Sequence, residues 1–333
     1  VFKNQARFNS QQYLQGLAMY LSTHGVDIYE NSRVIEVEHA DQQLYTEKGS
    51  VKYKNVILAT HLPLFIDALQ TLNYPFRSYL MIASVKDMPG DALFWDQHEP
   101  YFYTRQVEEN KILVGGVDHQ TGYQEDDRDY YQVLKNYIKD RYEVISFHER
   151  WSSQYYEPAD GLPYIGETPF KNSYVATGFS GDGLVYGTIS AMILTGLLTG
   201  NKQEWAKVYD SKRLDIMKSG KKFLKENTQV AKHLIEDRLS FKSNNDPLPG
   251  QGIVMHVNEK PMAVFKDKAG DTFYLSPVCP HLKCHVTWNN MENTWDCPCH
   301  GSRFDHEGQV LQGPAVLNLD NKTSEILKKI NQE

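Results

Sequence analysis

The hydrophobic pattern changes its period several times along the chain. Residues 10–24 place Tyr13, Leu14, Leu17, Ala18 and Leu21 on one helical face, and Gly25 supplies a C-terminal stop. Short β-branched runs follow at 26–30, 34–40, 43–49 and 50–55, with Lys48-Gly49 as a turn. They end in the continuous apolar run Val56-Ile57-Leu58-Ala59-Thr60, the signature of a strand covered on both faces. From 75 to 122 the runs are aromatic and separated by turn residues, which predicts an antiparallel sheet of its own. A helix over 127–142 and a strand around 147–155 come next. Residues 160–200 then read as loop, strand, glycine-rich turn and helix, and 202–239 as charged and helical. The run Ser243-Asn244-Asn245-Asp246-Pro247-Leu248-Pro249-Gly250 is a linker, and the short runs after it predict a small all-β domain. The resulting division is 1–240, with its sheet at 75–160, a linker at 241–250, and 251–333.

Composition narrows the class. The chain has 333 residues, 41% hydrophobic and 23% charged, as expected of a globular chain of two or three domains. Its net charge of −7 argues against a general nucleic-acid binder. From Gly183 to Asn201 no residue is charged, a length that could span a bilayer. Recurrent Gly, Ser and Thr, and a mean hydropathy of −0.54, favour a buried helix packed closely on a flat surface. No transmembrane span is expected, and a cytoplasmic location compatible with peripheral membrane association follows. The chain begins with Val1 rather than Met, so a fragment of a longer protein is expected. The acidic run 125–129 reads as a solvated loop and helix start.

The 4 cysteines all fall between Cys279 and Cys299. They occur in Cys279-Pro280-His281-Leu282-Lys283-Cys284 and Cys297-Pro298-Cys299-His300-Gly301-Ser302. Thiolate plus imidazole suits zinc or an iron–sulfur centre, and a zinc-stabilised interaction module is one reading of the residues alone. The two loops resemble the cluster-binding loops of Rieske [2Fe-2S] proteins, over residues 250–325. That resemblance implies Cys279 and Cys297 on one iron, and His281 and His300 on the other. It also implies a loop-linking disulfide between Cys284 and Cys299, as in the respiratory branch. Ser302 matches the position whose hydroxyl donates to a bridging sulfide. Phe304 stands where that branch commonly has Tyr and offers no donor, so the expected potential lies between the respiratory proteins and the all-cysteine ferredoxins.

The rest of the chain resembles the C-terminal portion of FAD-dependent amine oxidoreductases of the D-amino-acid oxidase and glycine oxidase superfamily. The carrying stretches are 26–38, 56–60, 160–166 and 174–188. The combination resembles a bacterial group of fused FAD–Rieske oxidoreductases. The fold implied is α+β/α/β: a truncated FAD-binding domain with an antiparallel-sheet substrate domain, followed by the small all-β Rieske domain. A glycine-rich turn entering a helix offers backbone N–H groups and a positive dipole end to a flavin's pyrimidine edge. On this resemblance Gly178, Ser180, Gly181, Asp182, Gly183 and Leu184 meet the flavin ring, Val34 holds adenine by its backbone, and Ala59 and Thr60 line the nucleotide side. The family's G-x-G-x-x-G phosphate loop is absent from this sequence, which removes the pyrophosphate cradle from the chain as given.

The 75–160 sheet matches the substrate domain. Arg77, Tyr79, Tyr101, Tyr103, Arg105 and Tyr156 are its candidates for contacting a carboxylate or amine. The flavin itself accepts the hydride, so no catalytic base is nominated. The expected activity is oxidation of a small amine or amino-acid-like substrate, with electrons passing through the cluster to an acceptor protein or quinone. The alternative is a Rieske electron carrier whose flavin-like part is a non-catalytic docking scaffold.

Overall fold

The computed structural model describes residues 6–64, 67–88, 90, 92–123, 128–213 and 246–330. The charged 214–239 stretch and the start of the predicted linker lie outside them. Helix α1 (Ser10–Thr23) is capped by the Asn9 side chain, which accepts from the Gln12 amide. A meander of β1 (Val34–Glu38), β2 (Gln43–Thr46) and β3 (Gly49–Lys52) follows. Residues 26–30, expected as a strand, are turn and irregular backbone. Next come β4 (Val56–Leu58) and the short α2 (Asp67–Gln70).

The aromatic region forms a five-stranded antiparallel sheet from β5 (Asn73–Val85), β6 (Leu93–Trp95), β7 (Tyr103–Glu108), β8 (Lys111–Gln120) and β9 (Val144–Pro158). Their spatial order is β6-β7-β8-β5-β9. Helix α3 (Tyr130–Lys139) packs on this sheet through Tyr130, Tyr131, Leu134 and Ile138. Its N-cap is Asp129, whose carboxylate accepts from the Gln132 amide, so the acidic run does end in a helix start.

The chain then returns as β10 (Tyr164–Glu167) and β11 (Ser173–Thr177), and β11 pairs in parallel with β4. Helix α4 (Gly183–Thr199) lies on this three-stranded sheet, with Ile193 and Leu194 packed against Ile165 and Ala176. Close approach is real at its C-terminal end, where a Cβ on Gly196 would meet the Asn201 carbonyl at 2.6 Å. Three expectations change here. The apolar face of α1 is uncovered, with no residue of the helix buried. The β4 run is covered on one side only: Val56 and Leu58 are buried with Val37, Leu69 and Val175, while Ile57, on the opposite face of the sheet, is 44% exposed. Helix α4 is buried along a single stripe, and Val185 and Met192 face outward. Among the described residues no helix is long and apolar enough to cross a membrane.

The C-terminal part is all-β apart from its last helix. A sheet of β12 (Gln251–Val257), β13 (Lys260–Lys266) and β14 (Thr272–Leu275) packs against one of β15 (Thr287–Asn289), β16 (Thr294–Asp296), β17 (Arg303–Phe304) and β18 (Val310–Gln312). Helix α5 (Thr323–Ile330) closes the outer face through Ile326. Every strand predicted after residue 250 is present.

Candidate functional site: two cysteine loops against an acidic cavity

Two loops carry all the cysteines, and they are built alike. In the first, between β14 and β15, the Cys279 amide donates to the Cys284 carbonyl at 2.8 Å and the Lys283 amide to the Cys279 carbonyl at 3.1 Å. In the second, between β16 and β17, the Cys297 amide donates to the Ser302 carbonyl at 2.8 Å and the Gly301 amide to the Cys297 carbonyl at 2.9 Å. Each has Pro after the leading Cys and a left-handed residue four positions on, Lys283 (φ 63°) and Gly301 (φ 74°). Cys284 and Cys299 form a disulfide that ties the loops together.

Cys279 and Cys297 are buried and reduced. The Cys297 sulfur lies within 4.8 Å of both disulfide sulfurs. The two thiols face each other: a hydrogen bond from Cys297 draws the Cys279 thiol down, while that bond and burial push the Cys297 thiol up. The His281 and His300 rings meet edge to face with centroids 5.1 Å apart. His300 is buried, its pKa is pushed down to about 4 by burial, and its Nδ1 has no hydrogen-bond partner. Neutral imidazole and an unsatisfied buried nitrogen are the state a metal ligand requires. These residues therefore fit a sulfur- and nitrogen-ligated cluster, and they would not fit a closed tetrathiolate zinc site. Ser302 is fully buried; its oxygen accepts from the Ala315 amide at 2.9 Å, and its hydroxyl donates to the Cys279 sulfur. Phe304 is fully buried in the core that contains Cys279 and Cys297.

The glycine-rich turn forms one wall of a cavity of about 1160 Å³, and the five-stranded sheet forms the opposite wall. Ser180, Gly181 and Asp182 reach it, as do Tyr101, Tyr103 and Arg105. A Cβ at Gly181 or Gly183 would meet nothing within 4 Å, and Asp182 makes no side-chain cap, so the first turn of α4 is open toward added atoms. Gly178 is needed for its own conformation (φ 75°), since a Cβ there would meet Asn73 Oδ1 at 2.5 Å. The turn thus fits an approaching ring, while a pyrophosphate cradle is missing among these residues.

The remaining candidates are dispersed. Val34 is on the separate β1 meander, Ala59 and Thr60 follow β4, and Leu184 begins α4; none of them lines this cavity. Thr60 closes its own turn, its hydroxyl donating to the Leu62 carbonyl at 2.7 Å. Three substrate candidates are elsewhere. Tyr79 is in the core, stacked on Tyr130 at 4.7 Å. Arg77, 1% exposed, lies at the joint between the halves, with Ser152 and Glu292 as partners. Tyr156 is buried, and its hydroxyl donates to the His300 carbonyl at 3.2 Å. Strand alternation decides these placements: Ser78 and Leu80 of β5 line the cavity, so Arg77 and Tyr79 face away from it, and the extra residue in the β5–β8 pairing lies on β8, where Val117 is left-handed (φ 56°).

Sequence reasoning passed over two acids of the cavity: Asp118 and Glu157 line it beside Asp182 of the glycine-rich turn. Burial pushes the Asp118 carboxyl up, and Tyr155 donates to it at 2.9 Å. Burial also pushes Tyr103 up to about 12, and its hydroxyl is 3.0 Å from Ser78 Oγ. Gly115 on β8 makes room for that ring, because a Cβ there would overlap Tyr103.

Comparisons with known proteins agree with this geometry. The family model for FAD dependent oxidoreductases matches residues 1–197, and the Rieske [2Fe-2S] domain model matches residues 240–323. A Rieske 2Fe-2S iron–sulfur protein of Bacillus subtilis, YhfW, is 30% identical over 330 residues, which is 96% of this chain and 65% of its own length. The chain therefore spans just under two thirds of that relative. The wheat cytochrome b6-f complex iron–sulfur subunit is 41% identical over 86 residues, 26% of this chain and 38% of that one. In fold, glycine oxidase from Geobacillus kaustophilus has a TM-score of 0.50 at 18% identity, covering 60% of this chain and 57% of that one. L-proline dehydrogenase from P. horikoshii has a TM-score of 0.50 at 19% identity, covering 61% and 59%. With the first 197 residues matched to one family and the paired cysteine loops to a second domain, the chain belongs to the FAD-dependent oxidoreductases and carries a Rieske [2Fe-2S] domain.

Proposed function

We propose that this protein oxidises a small amine or amino-acid-like substrate at FAD and passes the electrons singly through its Rieske cluster to an acceptor protein or quinone. In this reading Cys279 and Cys297 hold one iron through thiolates, and His281 and His300 hold the other through imidazoles. The flavin supplies hydride acceptance when bound. The glycine-rich turn at 178–184 supports the ring with backbone N–H groups, Val34, Ala59 and Thr60 support the nucleotide, and the 75–160 sheet orients the substrate. Tyr101, Tyr103 and Arg105 are the substrate-facing candidates that remain, joined by Asp118.

The observation that carries the reading is physical continuity. The loop holding Cys297 and His300 hydrogen-bonds to Gln154, and Gln154 is itself a wall of the cavity. An electron leaving that cavity has a packed route to the cluster rather than a solvent gap. A second reading is an electron carrier on a docking scaffold, favoured by the dispersal of Val34, Ala59, Thr60 and Leu184 away from the cavity wall.

An absorbance and metal analysis of the full-length protein separates them. The first reading expects flavin and cluster bands together, with two irons and two acid-labile sulfides per chain, and bleaching of both bands by one amine substrate under anaerobic conditions. Cluster bands without flavin support the carrier. A redox titration in the same sample is expected to give a midpoint above the roughly −400 mV of plant-type ferredoxins, given two imidazole ligands. With Phe304 in place, it is also expected below that of the Phe304→Tyr variant.

A further inference from the structure

Tyr156 touches both halves of the molecule. It lies on β9 with its ring buried. Its carbonyl accepts from the Ser180 amide of the glycine-rich turn at 3.0 Å. Its ring meets the His61 ring edge to face, with centroids 4.7 Å apart. His61 is a cavity wall, held in a left-handed conformation (φ 66°) while the Thr177 hydroxyl donates to its carbonyl at 2.6 Å. At its far end the Tyr156 hydroxyl donates to the His300 carbonyl at 3.2 Å and accepts from Gln154 Nε2 at 3.0 Å. The same Gln154 nitrogen donates to the Gly301 carbonyl at 2.9 Å, and Gln154 Oε1 accepts from Thr121 at 3.1 Å. Thus one side chain and one hydrogen bond separate a ring packed on the cavity wall from the backbone of a cluster-loop histidine. Burial pushes the Tyr156 pKa up, so the phenol stays a donor across the working pH range.

We propose that Tyr156, fixed by Gln154, is the coupling path by which electrons cross from the flavin cavity to the Rieske cluster through His300. The proposal rests on the reading given under Proposed function and adds the residues that carry the transfer. At each crossing the flavin loses one electron and one ferric ion of the cluster becomes ferrous, and the proton that the reduced flavin sheds over the two crossings passes to solvent through the open cavity. Tyr156 is neither oxidised nor deprotonated. The second electron crosses after a one-electron carrier protein or quinone has taken the first from the cluster.

The test uses the full-length protein with both cofactors, under anaerobic conditions. Light with EDTA reduces the bound flavin, and the rate of cluster reduction after a light pulse is followed by absorbance. Two further readouts are the rate at which dithionite reduces the cluster directly and the EPR spectrum of the reduced cluster. Tyr156→Phe keeps the ring on His61 and removes the bond to His300. It is expected to slow flavin-to-cluster transfer by about 10- to 100-fold, the usual effect of losing a partner just outside a metal's ligands, with dithionite reduction and the EPR spectrum unchanged. Gln154→Met removes the donor to Gly301 and is expected to slow the transfer in the same way, which keeps the test available if the first variant does not fold. Tyr131→Phe breaks a different contact between the halves, the 2.6 Å bond to Glu292, and is expected to leave the rate unaltered. Unchanged transfer in Tyr156→Phe or Gln154→Met overturns the proposal. So does a parallel fall in both reduction rates with an altered EPR spectrum, which makes Tyr156 a prop for the loop. A cluster that stays oxidised in the unaltered protein while its flavin bleaches overturns the parent reading and the proposal together.

Discussion

His119 shows how a single residue at the joint of the sheet and α3 sets pH behaviour. Its ring is stacked on Tyr130 at 4.5 Å and on Tyr79 at 5.6 Å. Burial pushes its pKa down to about 4, opposed by the nearby Asp296 carboxylate. An unfolded histidine takes its proton near pH 6.5, so between pH 6.5 and 4 the unfolded chain binds more protons than the folded one. Stability is therefore expected to fall as the pH drops through that window, by up to about 3 kcal/mol for a shift of this size. Above pH 6.5 the group contributes no slope. Urea unfolding of the wild type and His119→Phe at pH 7 and pH 4.5 checks this, and equal slopes in the two proteins would show that His119 is protonated when folded. The same burial of rings explains why Tyr79 and Tyr156, chosen from sequence as substrate contacts, do not line the cavity: an aromatic on a strand faces a cavity or a core according to register alone.

At the scale of the elements, the two cysteine loops are local structures, and they were legible. Cys-Pro, a left-handed residue four positions on, and a closing pair of backbone hydrogen bonds are decided within six residues, so a motif read along the chain carries the geometry. Their union is a different matter, because the disulfide joins segments separated by 15 residues. Replacing Cys284 and Cys299 together by Ser is expected to lower stability by about 3 kcal/mol, the loop-entropy value for such a separation. It is also expected to speed cluster loss. Chemical unfolding and the rate of visible bleaching in air measure both effects, and an unchanged unfolding midpoint would remove the disulfide from the account. Elsewhere, element type was clear but its surroundings were not. The α1 pattern is helical and the residues form a helix, yet its apolar face is bare; β4 is apolar throughout, yet Ile57 is exposed. Hydrophobic period reports which face wants a partner, and it does not report whether the partner is there.

At the scale of the whole molecule, the joint between the halves is a buried charge network capped by glycines. Glu292 receives the Tyr131 hydroxyl at 2.6 Å and lies 3.6 Å from both Arg77 and Arg303. Arg303 in turn holds the buried Asp296 at 3.1 Å, one residue before Cys297. Such a network is costly to break from one side and weak as a net stabiliser. Gly122 (φ 80°) sits where a Cβ would meet Pro298 Cα at 2.7 Å. Gly122→Ala is expected to cost about 1–3 kcal/mol more than Gly161→Ala, because overpacking adds to the strain of the left-handed backbone. Gly161 has the same φ of 80° and nothing within 4 Å of its Cβ. Thermal melts of the two variants compare them, and equal shifts would mean that the loop yields freely at Pro298.

The sequence by itself determined the parts whose physics is local: the order of elements, the paired Cys/His loops, the glycine-rich turn before a helix and the small β domain. Tertiary structure alone decided what those parts face. Strand alternation and packing across the joint turned Arg77 toward Glu292 and Tyr156 toward the cluster loop, and left Asp118 and Glu157 on the cavity wall. The reason is range. A turn or a loop is chosen by the dihedral preferences of a few neighbouring residues, whereas the closeness of the acidic cavity to a cysteine loop depends on contacts between residues 154–156 and 300–301, whose proximity no local preference specifies.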